Sequence, residues 1–174
     1  MTEVILVDVN DRQTGLMEKM EAHQKAILHR AFSIFIFNSK GEMLLQQRAL
    51  NKYHSGGLWT NACCSHPLPG ETVLEAANRR LQEELGFSTE LKKAFDFIYA
   101  ASFDNGLSEH EFDHVFTGHY NTGLNVNPEE VNDYCYMTME AINDSLKSHP
   151  AKYTEWFKIA FPKLEEYLAS NTTG

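Results

Sequence analysis

Glu109 and Glu111 are two carboxylates separated by a single residue in this 174-residue chain. Alternate residues of a β-strand point to the same face, so both side chains would project from one side of a sheet. Two neighbouring negative charges need compensation, which a divalent cation supplies. The chain also has eight histidines, although a single histidine is more often a surface or core residue than a ligand. The spacing therefore predicts a metal site at this pair.

A second charged group has helical spacing. Glu83 and Glu84 follow Arg79 and Arg80 by about one turn, so carboxylates and guanidinium groups gather on one helical surface. Such a cluster can hold Mg²⁺, which prefers oxygen ligands and often bridges to substrate phosphates. A solvated helix with i,i+4 salt bridges would show the same pattern, so the charges alone leave both interpretations open.

Three cysteines, two of them adjacent at Cys63 and Cys64, do not make the framework of a secreted disulfide protein. A reactive thiol in an intracellular enzyme and a small buried hydrophobe both remain open for them. The opening Met1-Thr2-Glu3-Val4 lacks a basic region, so a secretory signal is not expected. No apolar run approaches the roughly 20 residues that span a bilayer. We therefore expect a cytoplasmic protein with no membrane partner.

The formal net charge is −9, from 15 basic and 24 acidic residues. No tract rich in lysine and arginine offsets this charge, which argues against a nucleic-acid partner. An acidic enzyme can still bind an anionic substrate if it has a local cationic site or metal ions.

The clearest predicted element is a helix that begins after Thr72 and ends at Gly86. Thr72 and Glu75 have the spacing of a capping box, and glycine is a natural terminator. Its predicted buried stripe consists of Leu74, Ala77, Leu81 and Leu85.

Strands and helices are predicted on both sides of this helix. Strands are expected over residues 4–10, 31–37, 42–48, 94–103, 111–120 and 134–137. Helices are expected over residues 17–26, from Glu140 onward, and over residues 153–168. Strands around one well-capped helix, with helices at the ends, predict an α+β sandwich. We expect a single domain over residues 1–174, with a short N-terminal strand and helix as an extension.

The capped helix resembles the Nudix box, G-x5-E-x7-R-E-U-x-E-E-x-G-U, in which U is bulky and apolar. The matching residues are Glu71, Arg79, Leu81, Glu83, Glu84, Gly86 and Phe87. Ser65 replaces the first glycine, and Arg80 replaces a glutamate that helps Nudix hydrolases to bind the metal ions that activate water. An arginine there removes a carboxylate ligand and adds a phosphate-binding cation. The resemblance implies an α/β Nudix-type mixed-sheet sandwich whose box binds a diphosphate, with hydrolysis disfavoured.

The segment Trp59-Thr60-Asn61-Ala62-Cys63-Cys64-Ser65-His66-Pro67 is similar to the W-T-N-x-x-C-x-H-P segment of the type 1 isopentenyl diphosphate isomerases. It runs directly into the altered box, as it does in that family. Further matches in the family's order are Leu16-Met17-Glu18-Lys19, His23, His29-Arg30-Ala31-Phe32-Ser33, Arg48-Ala49-Leu50-Asn51-Lys52 and Glu109-His110-Glu111. The resemblance extends from Lys19 to Trp156, which is nearly the whole chain.

The resemblance implies a metal site whose ligands are His23, His29, His66, Glu109 and Glu111. Mn²⁺ or Mg²⁺ is the expected ion, and this ligand set would also tolerate Zn²⁺. A second ion, the Mg²⁺ that accompanies the substrate diphosphate, would be held by Glu84. The remaining histidines have no counterpart in the family pattern and are interpreted as structural: His54, His110, His114, His119 and His149.

The resemblance also implies that Cys64 and Glu111 form an acid–base pair, with Tyr99 assisting the glutamate. Moving a double bond through a tertiary carbocation requires protonation of an alkene and removal of a proton from another carbon. Two positioned groups do this best, and such proton transfer contributes about 10²–10⁴-fold. For isopentenyl diphosphate we expect the donor on the glutamate side and Cys64 as the acceptor. Cys63 is then the buried hydrophobe of the two thiols.

The substrate-binding residues implied by the resemblance are Lys19, Arg48, Lys52, Arg80 and Trp156. Arginine forks and lysine charges suit phosphate oxygens. The aromatic faces of Tyr99 and Trp156 are candidates for stabilising the carbocation, which is worth about 2 kcal/mol or more when desolvated. For both aromatic residues, a role in the core is the alternative.

The implied activity is the interconversion of isopentenyl and dimethylallyl diphosphate by a 1,3-allylic proton shift, in isoprenoid biosynthesis. Three alternatives stay open: a Nudix hydrolase acting on a diphosphate, a binding module without chemistry, and an isomerase for a longer prenyl diphosphate. The expected partner is the small-molecule substrate alone, and the expected state is a monomer or a weak homodimer.

Overall fold

Strands form most of the framework that positions the predicted site. The computed structural model describes residues 2–52, 54–103 and 105–171, and within these ranges the chain forms nine strands, four α-helices and one 3₁₀ turn. The strands are β1 (Glu3–Val7), β2 (Gln13–Glu18), β3 (His29–Phe37), β4 (Met43–Arg48), β5 (Trp59–Asn61), β6 (Cys63–Ser65), β7 (Lys92–Ser102), β8 (Ser108–His119) and β9 (Val131–Met137). The helices are α1 (Lys19–Lys25), α2 (Val73–Leu85), α3 (Met139–Ser148) and α4 (Glu155–Asn171), and the 3₁₀ turn is Pro150–Lys152.

The strands belong to one mixed sheet with β3 as its hub. Strand β8 runs parallel to β3, with His29 opposite Glu111 and Phe37 opposite His119. Strands β1, β4 and β6 are antiparallel to β3. Strand β7 extends the sheet beyond β8, whereas β5 and β9 extend it beyond β4, all in antiparallel pairs. The parallel pair brings the site-bearing ends of β3 and β8 to the same edge.

Strand β3 is covered on both faces, as its nearly continuous apolar sequence requires. Phe32 and Ile34 lie in a buried cluster with Leu81 of α2. Phe35 points to the other face and lies in a second buried cluster with Phe157 of α4. Helices therefore cover both faces of one sheet, which confirms the predicted single-domain α+β sandwich.

Helix α2 begins and ends where its local signals predicted. Thr72 and Glu75 form a reciprocal capping box, and Gly86 adopts a left-handed conformation with φ of 75°. A Cβ on Gly86 would lie 2.4 Å from a backbone oxygen of a neighbouring loop, so glycine is also required sterically. The prediction that Leu74 is buried was wrong, because this side chain is 46% exposed. The buried face instead passes through Ala76, whose small side chain lets the helix approach the sheet.

The N-terminal extension differs from the prediction. Residues 17–26 were expected to be helical, but Met17 pairs with Val4 in the β1–β2 hairpin, and α1 begins only at Lys19. Glu18 provides the reason, because its side chain accepts a hydrogen bond from the Glu21 amide and caps the helix there. Helix α4 spans Glu155–Asn171, close to the predicted 153–168. In the described part of the chain, no helix is long and apolar enough to cross a membrane.

Candidate active site

A cleft opens where β3 and β4 separate. These strands pair with each other only at Phe37 and Met43, and beyond that point β6 pairs with β3 while β5 pairs with β4. The cleft is open to solvent and contains about 560 Å³ of space between its walls and the solvent. Its lining includes the predicted site residues Lys19, Arg48, Lys52, Cys64, His66, Arg80, Glu84, Tyr99, Glu109, Glu111 and Trp156. His23 and His29, the other two, contact the lining carboxylates Glu109 and Glu111.

Imidazole nitrogens and carboxylate oxygens converge beside this cleft. One ligand atom from each of His23, His29, His66 and Glu111 lies within 4.8 Å of the others. His66 Nε2 is 2.7 Å and His29 Nε2 is 3.2 Å from the same Glu111 oxygen, Oε2. Glu109 lies next to them, with its Oε1 3.2 Å from His23 Nε2. The structure thus brings the five predicted ligands together.

The chemistry of this donor set fits a divalent metal ion. His23 Nδ1 lies 2.6 Å from the Lys19 carbonyl and His29 Nδ1 lies 2.8 Å from the Ile27 carbonyl. A carbonyl only accepts, so in each ring Nδ1 donates and Nε2 is the nitrogen that faces the carboxylates. Burial lowers the pKa of His66 to about 4, so this ring is neutral near pH 7. This set of ring nitrogens and carboxylate oxygens is compatible with a divalent cation.

The Tyr99 hydroxyl connects the two carboxylates. It lies 3.0 Å from Glu109 Oε2 and makes a shorter contact with Glu111 Oε1. Both glutamates therefore face the same side of β8, as their spacing predicted. Burial and the two carboxylates raise the pKa of Tyr99 well above its ordinary value. The phenol therefore keeps its proton and donates it to one carboxylate at a time.

The adjacent thiols of β6 face opposite sides of the sheet. Cys64 pairs in register with Ser33, and its Sγ lies 3.5 Å from Ser33 Oγ and 3.1 Å from Asn61 Oδ1. Cys63 is fully buried in the core, where its Sγ lies 3.1 Å from Glu84 Oε2. Burial raises the pKa of the Cys64 thiol, so a thiolate formed here is a strong base. Cys64 is thus the thiol that faces the cleft.

Four cationic side chains line the same cleft: Lys19, Arg48, Lys52 and Arg80. Burial lowers the pKa of Lys19, and the positive charges of the other three lower it further. Glu130, which no sequence pattern singled out, lies 3.2 Å from Arg80 Nη2 and also contacts Lys52 Nζ. Crowded positive charge in an otherwise acidic protein favours an anionic ligand.

Helix α2 divides its charged residues between two tasks. Arg80 and Glu84 face the cleft, with Arg80 Nη2 3.1 Å from Glu84 Oε2. Arg79 instead pairs with Glu71 at 2.7 Å and with Glu83 at 3.1 Å. Arg80 also pairs with Glu83, at 2.9 Å. The helix therefore has the salt bridges that one interpretation predicted, and it also turns Arg80 and Glu84 towards the cleft, as the other interpretation requires.

Trp156 forms part of the cleft wall from α4. It is 4% exposed, so it also serves the core, as the alternative interpretation held. The guanidinium carbon of Arg48 lies 5.1 Å from the centre of its ring, within cation–π range. The tryptophan thus supports a residue that the sequence assigned to diphosphate binding.

His54, which the sequence analysis interpreted as structural, lies in the wall of the cleft. Its side chain lines the cleft, and its Nε2 lies 3.1 Å from Glu109 Oε1. Burial lowers its pKa, so the ring is neutral near pH 7. Its place between the matched residues Lys52 and Trp59 is the sequence signal that could have identified it.

Comparison with known proteins relates this chain to a family. Residues 27–157 match the NUDIX domain. The chain is 50% identical over 167 residues to the isopentenyl-diphosphate Delta-isomerase of Pectobacterium atrosepticum, covering 96% of this chain and 93% of that one. The isopentenyl-diphosphate Delta-isomerase of Halorhodospira halophila is 43% identical over 177 residues, and the alignment covers 100% of each chain.

Solved structures share the fold at lower sequence identity. DR0079 from Deinococcus radiodurans has a TM-score of 0.74 at 19% identity, covering 90% of this chain and 96% of that one. The MutT protein from Methanosarcina mazei has a TM-score of 0.67 at 21% identity, covering 84% and 96%. At these identities the likeness concerns the fold alone.

Proposed function

The chain belongs to the NUDIX domain family and to the isopentenyl-diphosphate Delta-isomerases, and on this premise we propose that it interconverts isopentenyl and dimethylallyl diphosphate. One observation supports the proposal above all: a thiol, a phenol–carboxylate pair and a group of cationic side chains line the same cleft. The proposed context is isoprenoid biosynthesis. A cytoplasmic location and a monomeric or weakly dimeric state stay predictions.

The cationic group binds the diphosphate in this proposal. Guanidinium groups offer paired donors to phosphate oxygens, whereas ammonium groups act as point charges. The residues are Lys19, Arg48, Lys52 and Arg80, and Glu84 would hold the Mg²⁺ that accompanies the diphosphate. Binding would replace the mutual repulsion of the cations with attraction to one polyanion.

The converging imidazoles and carboxylates form the proposed second metal site. His23, His29, His66, Glu109 and Glu111 would hold Mn²⁺ or Mg²⁺, and Zn²⁺ also suits these donors. Such an ion, when bound, neutralises the carboxylates and fixes the orientation of Glu111. Tyr99 completes the orientation, because its hydroxyl donates to the Glu111 oxygen.

Two proton transfers then shift the double bond. A proton from the Glu111 side adds to the terminal carbon of isopentenyl diphosphate, which leaves the positive charge on the tertiary carbon. Cys64, once deprotonated, takes a proton from C2, the carbon between the tertiary carbon and the carbon that bears the diphosphate, and the double bond re-forms between C2 and the tertiary carbon. One proton is gained and one is lost, and each group serves in the opposite sense for the reverse reaction. The faces of Tyr99 and Trp156 stabilise the cation without attacking it.

Proton NMR tests the proposed function directly. Purified protein is incubated with isopentenyl diphosphate and Mg²⁺ in D₂O, and the expected product is dimethylallyl diphosphate with deuterium at the exchanged carbons. Intact substrate without deuterium, in folded and metal-loaded protein, would contradict the proposal.

Hydrolysis of a diphosphate is the rival function, and the geometry of α2 disfavours it. Arg80 stands where the Nudix box has a glutamate, and its guanidinium group pairs with Glu84. This arrangement leaves fewer carboxylates for the metal cluster that activates water. Release of phosphate from nucleoside diphosphates, at a rate that exceeds isomerisation, would favour the rival.

Two adjacent arginines allow a matched test of diphosphate binding. Arg80→Ala is expected to raise KM for isopentenyl diphosphate by about 10-fold or more, because a charge-assisted phosphate contact contributes roughly 1.5–3 kcal/mol. Arg79→Ala is the control, since Arg79 is not among the described residues that line the cleft and its main partner is Glu71. Steady-state kinetics of both variants decide the point. Equal KM values for the two variants would contradict the assignment of Arg80.

A further inference from the structure

His54 lies beside the proposed metal ligands but outside their main group. Its ring is 5% exposed, and its ligand atom lies within 4.8 Å of those of His23 and Glu109. We propose that His54 is a positioning residue of the metal centre, whose Nε2–H donates to Glu109 Oε1 and holds that carboxylate in place as a ligand. The inference depends on the proposed function in one respect only, namely that these residues bind a metal ion.

The contacts around Glu109 favour His54 as the donor of the proposed hydrogen bond. Glu109 Oε1 lies 3.1 Å from His54 Nε2 and 3.2 Å from His23 Nε2. His23 donates through Nδ1 to the Lys19 carbonyl, so Nε2 is the nitrogen that faces Glu109 Oε1. In His54, Nδ1 lies 3.2 Å from Ser55 Oγ, and the hydroxyl can donate to it, which leaves the ring proton on Nε2. His54 is then the imidazole that donates to this carboxylate oxygen.

The ligand atoms of the described residues fall into two groups that share His23. The atoms of His29, His66 and Glu111 converge with His23 in one group, and those of His54 and Glu109 converge with it in the other. The proposal places the ion in the first group and assigns His54 a contact with Glu109. Residues that hydrogen-bond to a metal ligand without contacting the ion orient that ligand and tune its basicity.

The His54 ring is fixed by its surroundings, as a positioning role requires. It stacks on Phe103 with centroids 4.4 Å apart and planes 8° apart, and it meets Trp156 edge-on at 5.7 Å. Its carbonyl accepts a hydrogen bond of 3.1 Å from Arg48. The next residue, Ser55, has a φ of 55°, an uncommon conformation for a residue other than glycine. The His54 side chain thereby contacts the proposed ligand Glu109 and the aromatic wall, while its backbone carbonyl contacts an arginine of the cleft.

Two variants separate the hydrogen bond from the packing of the ring. His54→Gln keeps an N–H at the same number of bonds from Cβ but loses the aromatic ring. His54→Phe keeps the ring against Phe103 and Trp156 but loses the N–H. Metal-free wild type and variants are titrated with Co²⁺, and both the affinity and the visible absorption bands are recorded.

The affinity for Co²⁺ is expected to depend on the N–H group of residue 54. His54→Phe should bind Co²⁺ about 10–100-fold more weakly than the wild type, as the loss of an outer partner typically causes. His54→Gln should stay within a few-fold of the wild type. The absorption bands should keep their positions in both variants, because the ligands in contact with the ion are unchanged.

Three outcomes would overturn the inference. Weak binding in His54→Gln with normal binding in His54→Phe would mean that packing alone matters. Shifted absorption bands in both variants would make His54 a direct ligand, and unchanged affinity in both would leave it without a role in metal binding. Thermal unfolding of the metal-free variants shows that each is folded, and His54→Leu replaces the phenylalanine variant if that one is not.

The same titration separates this inference from the proposed function. A wild type that binds Co²⁺ but does not isomerise isopentenyl diphosphate would overturn the function and leave the role of His54 intact. A folded wild type that binds no Co²⁺ would overturn the metal site and the role of His54 together.

Discussion

Replacing Cys64 with alanine is expected to lower kcat for isomerisation by about 10²–10⁴-fold or more, because one of two positioned proton-transfer groups is lost. The pairing of β6 with β3 through Ser33 and Cys64 is made by the backbone, so the fold should survive the change. The cationic group remains in place, and KM should therefore change by no more than a few-fold. Steady-state kinetics with isopentenyl diphosphate measure both constants.

Deuterium exchange in the Cys64→Ala variant assigns the direction of proton transfer. With the acceptor missing, the glutamate side can still protonate the terminal carbon and take a proton back from the resulting methyl group. In D₂O, recovered isopentenyl diphosphate should therefore carry deuterium at its terminal carbon while no dimethylallyl diphosphate forms. Recovered substrate without deuterium there would move the donor role for this substrate away from the glutamate side.

Cys135 offers a matched control for the loss of a thiol. It lies in β9 and is only partly buried, packed against the core cluster of α4. Cys135→Ala should keep kcat and KM near those of the wild type. A Cys64→Ala enzyme that is as active as this control would remove Cys64 from the mechanism.

The elements that could be predicted from sequence carry their signals locally. The boundaries of α2 depend on Thr72, Glu75 and Gly86, which lie within or directly beside the helix. Strand β3 was predicted from the apolar run of residues 31–37, which only Ser33 interrupts, because both faces of the strand are buried. In each case the residues that determine the element lie within it or directly beside it.

The elements that could not be predicted depend on partners far away in sequence. Strands β5 and β6 have three residues each, which is too short for a periodic pattern. They exist because β3 and β4 separate and leave backbone groups that need pairing. Met17 has no local strand signal either, and its conformation follows from pairing with Val4.

The same distinction applies to the site. The predicted ligands and cations each lie in a segment with a recognisable motif, and the fold brings them into one cleft. Glu130 has no motif, and it reaches Lys52 and Arg80 because the next residue, Val131, pairs with Arg48 across β9 and β4. His54 gains its contact with Glu109 from a loop whose path depends on tertiary packing.

Replacing Glu111 with glutamine is expected to impair both metal binding and proton transfer. Glu111 Oε2 lies between the Nε2 atoms of His66 and His29, and Oε1 accepts from Tyr99. The amide keeps the shape but loses the negative charge and the capacity to exchange a proton. Loss of a residue that only hydrogen-bonds to a metal ligand typically weakens metal binding by roughly 10–100-fold. Because Glu111 would itself be a ligand, the affinity for Mn²⁺ should fall by at least this factor. At saturating Mn²⁺, kcat should still be about 10²–10⁴-fold below that of the wild type.

Glu109→Gln is the matched comparison that separates these two effects. Glu109 contacts His23, His54 and Tyr99, and its proposed role is that of a ligand alone. Titration of both metal-free variants with Mn²⁺, followed by kinetics, should show Glu109→Gln regaining most of its activity while Glu111→Gln does not. If Glu111→Gln recovers equally well, Glu111 serves only as a ligand. Tyr99, whose hydroxyl contacts both carboxylates, would then be the remaining proton donor on that side of the cleft, and Tyr99→Phe should abolish the terminal-carbon exchange.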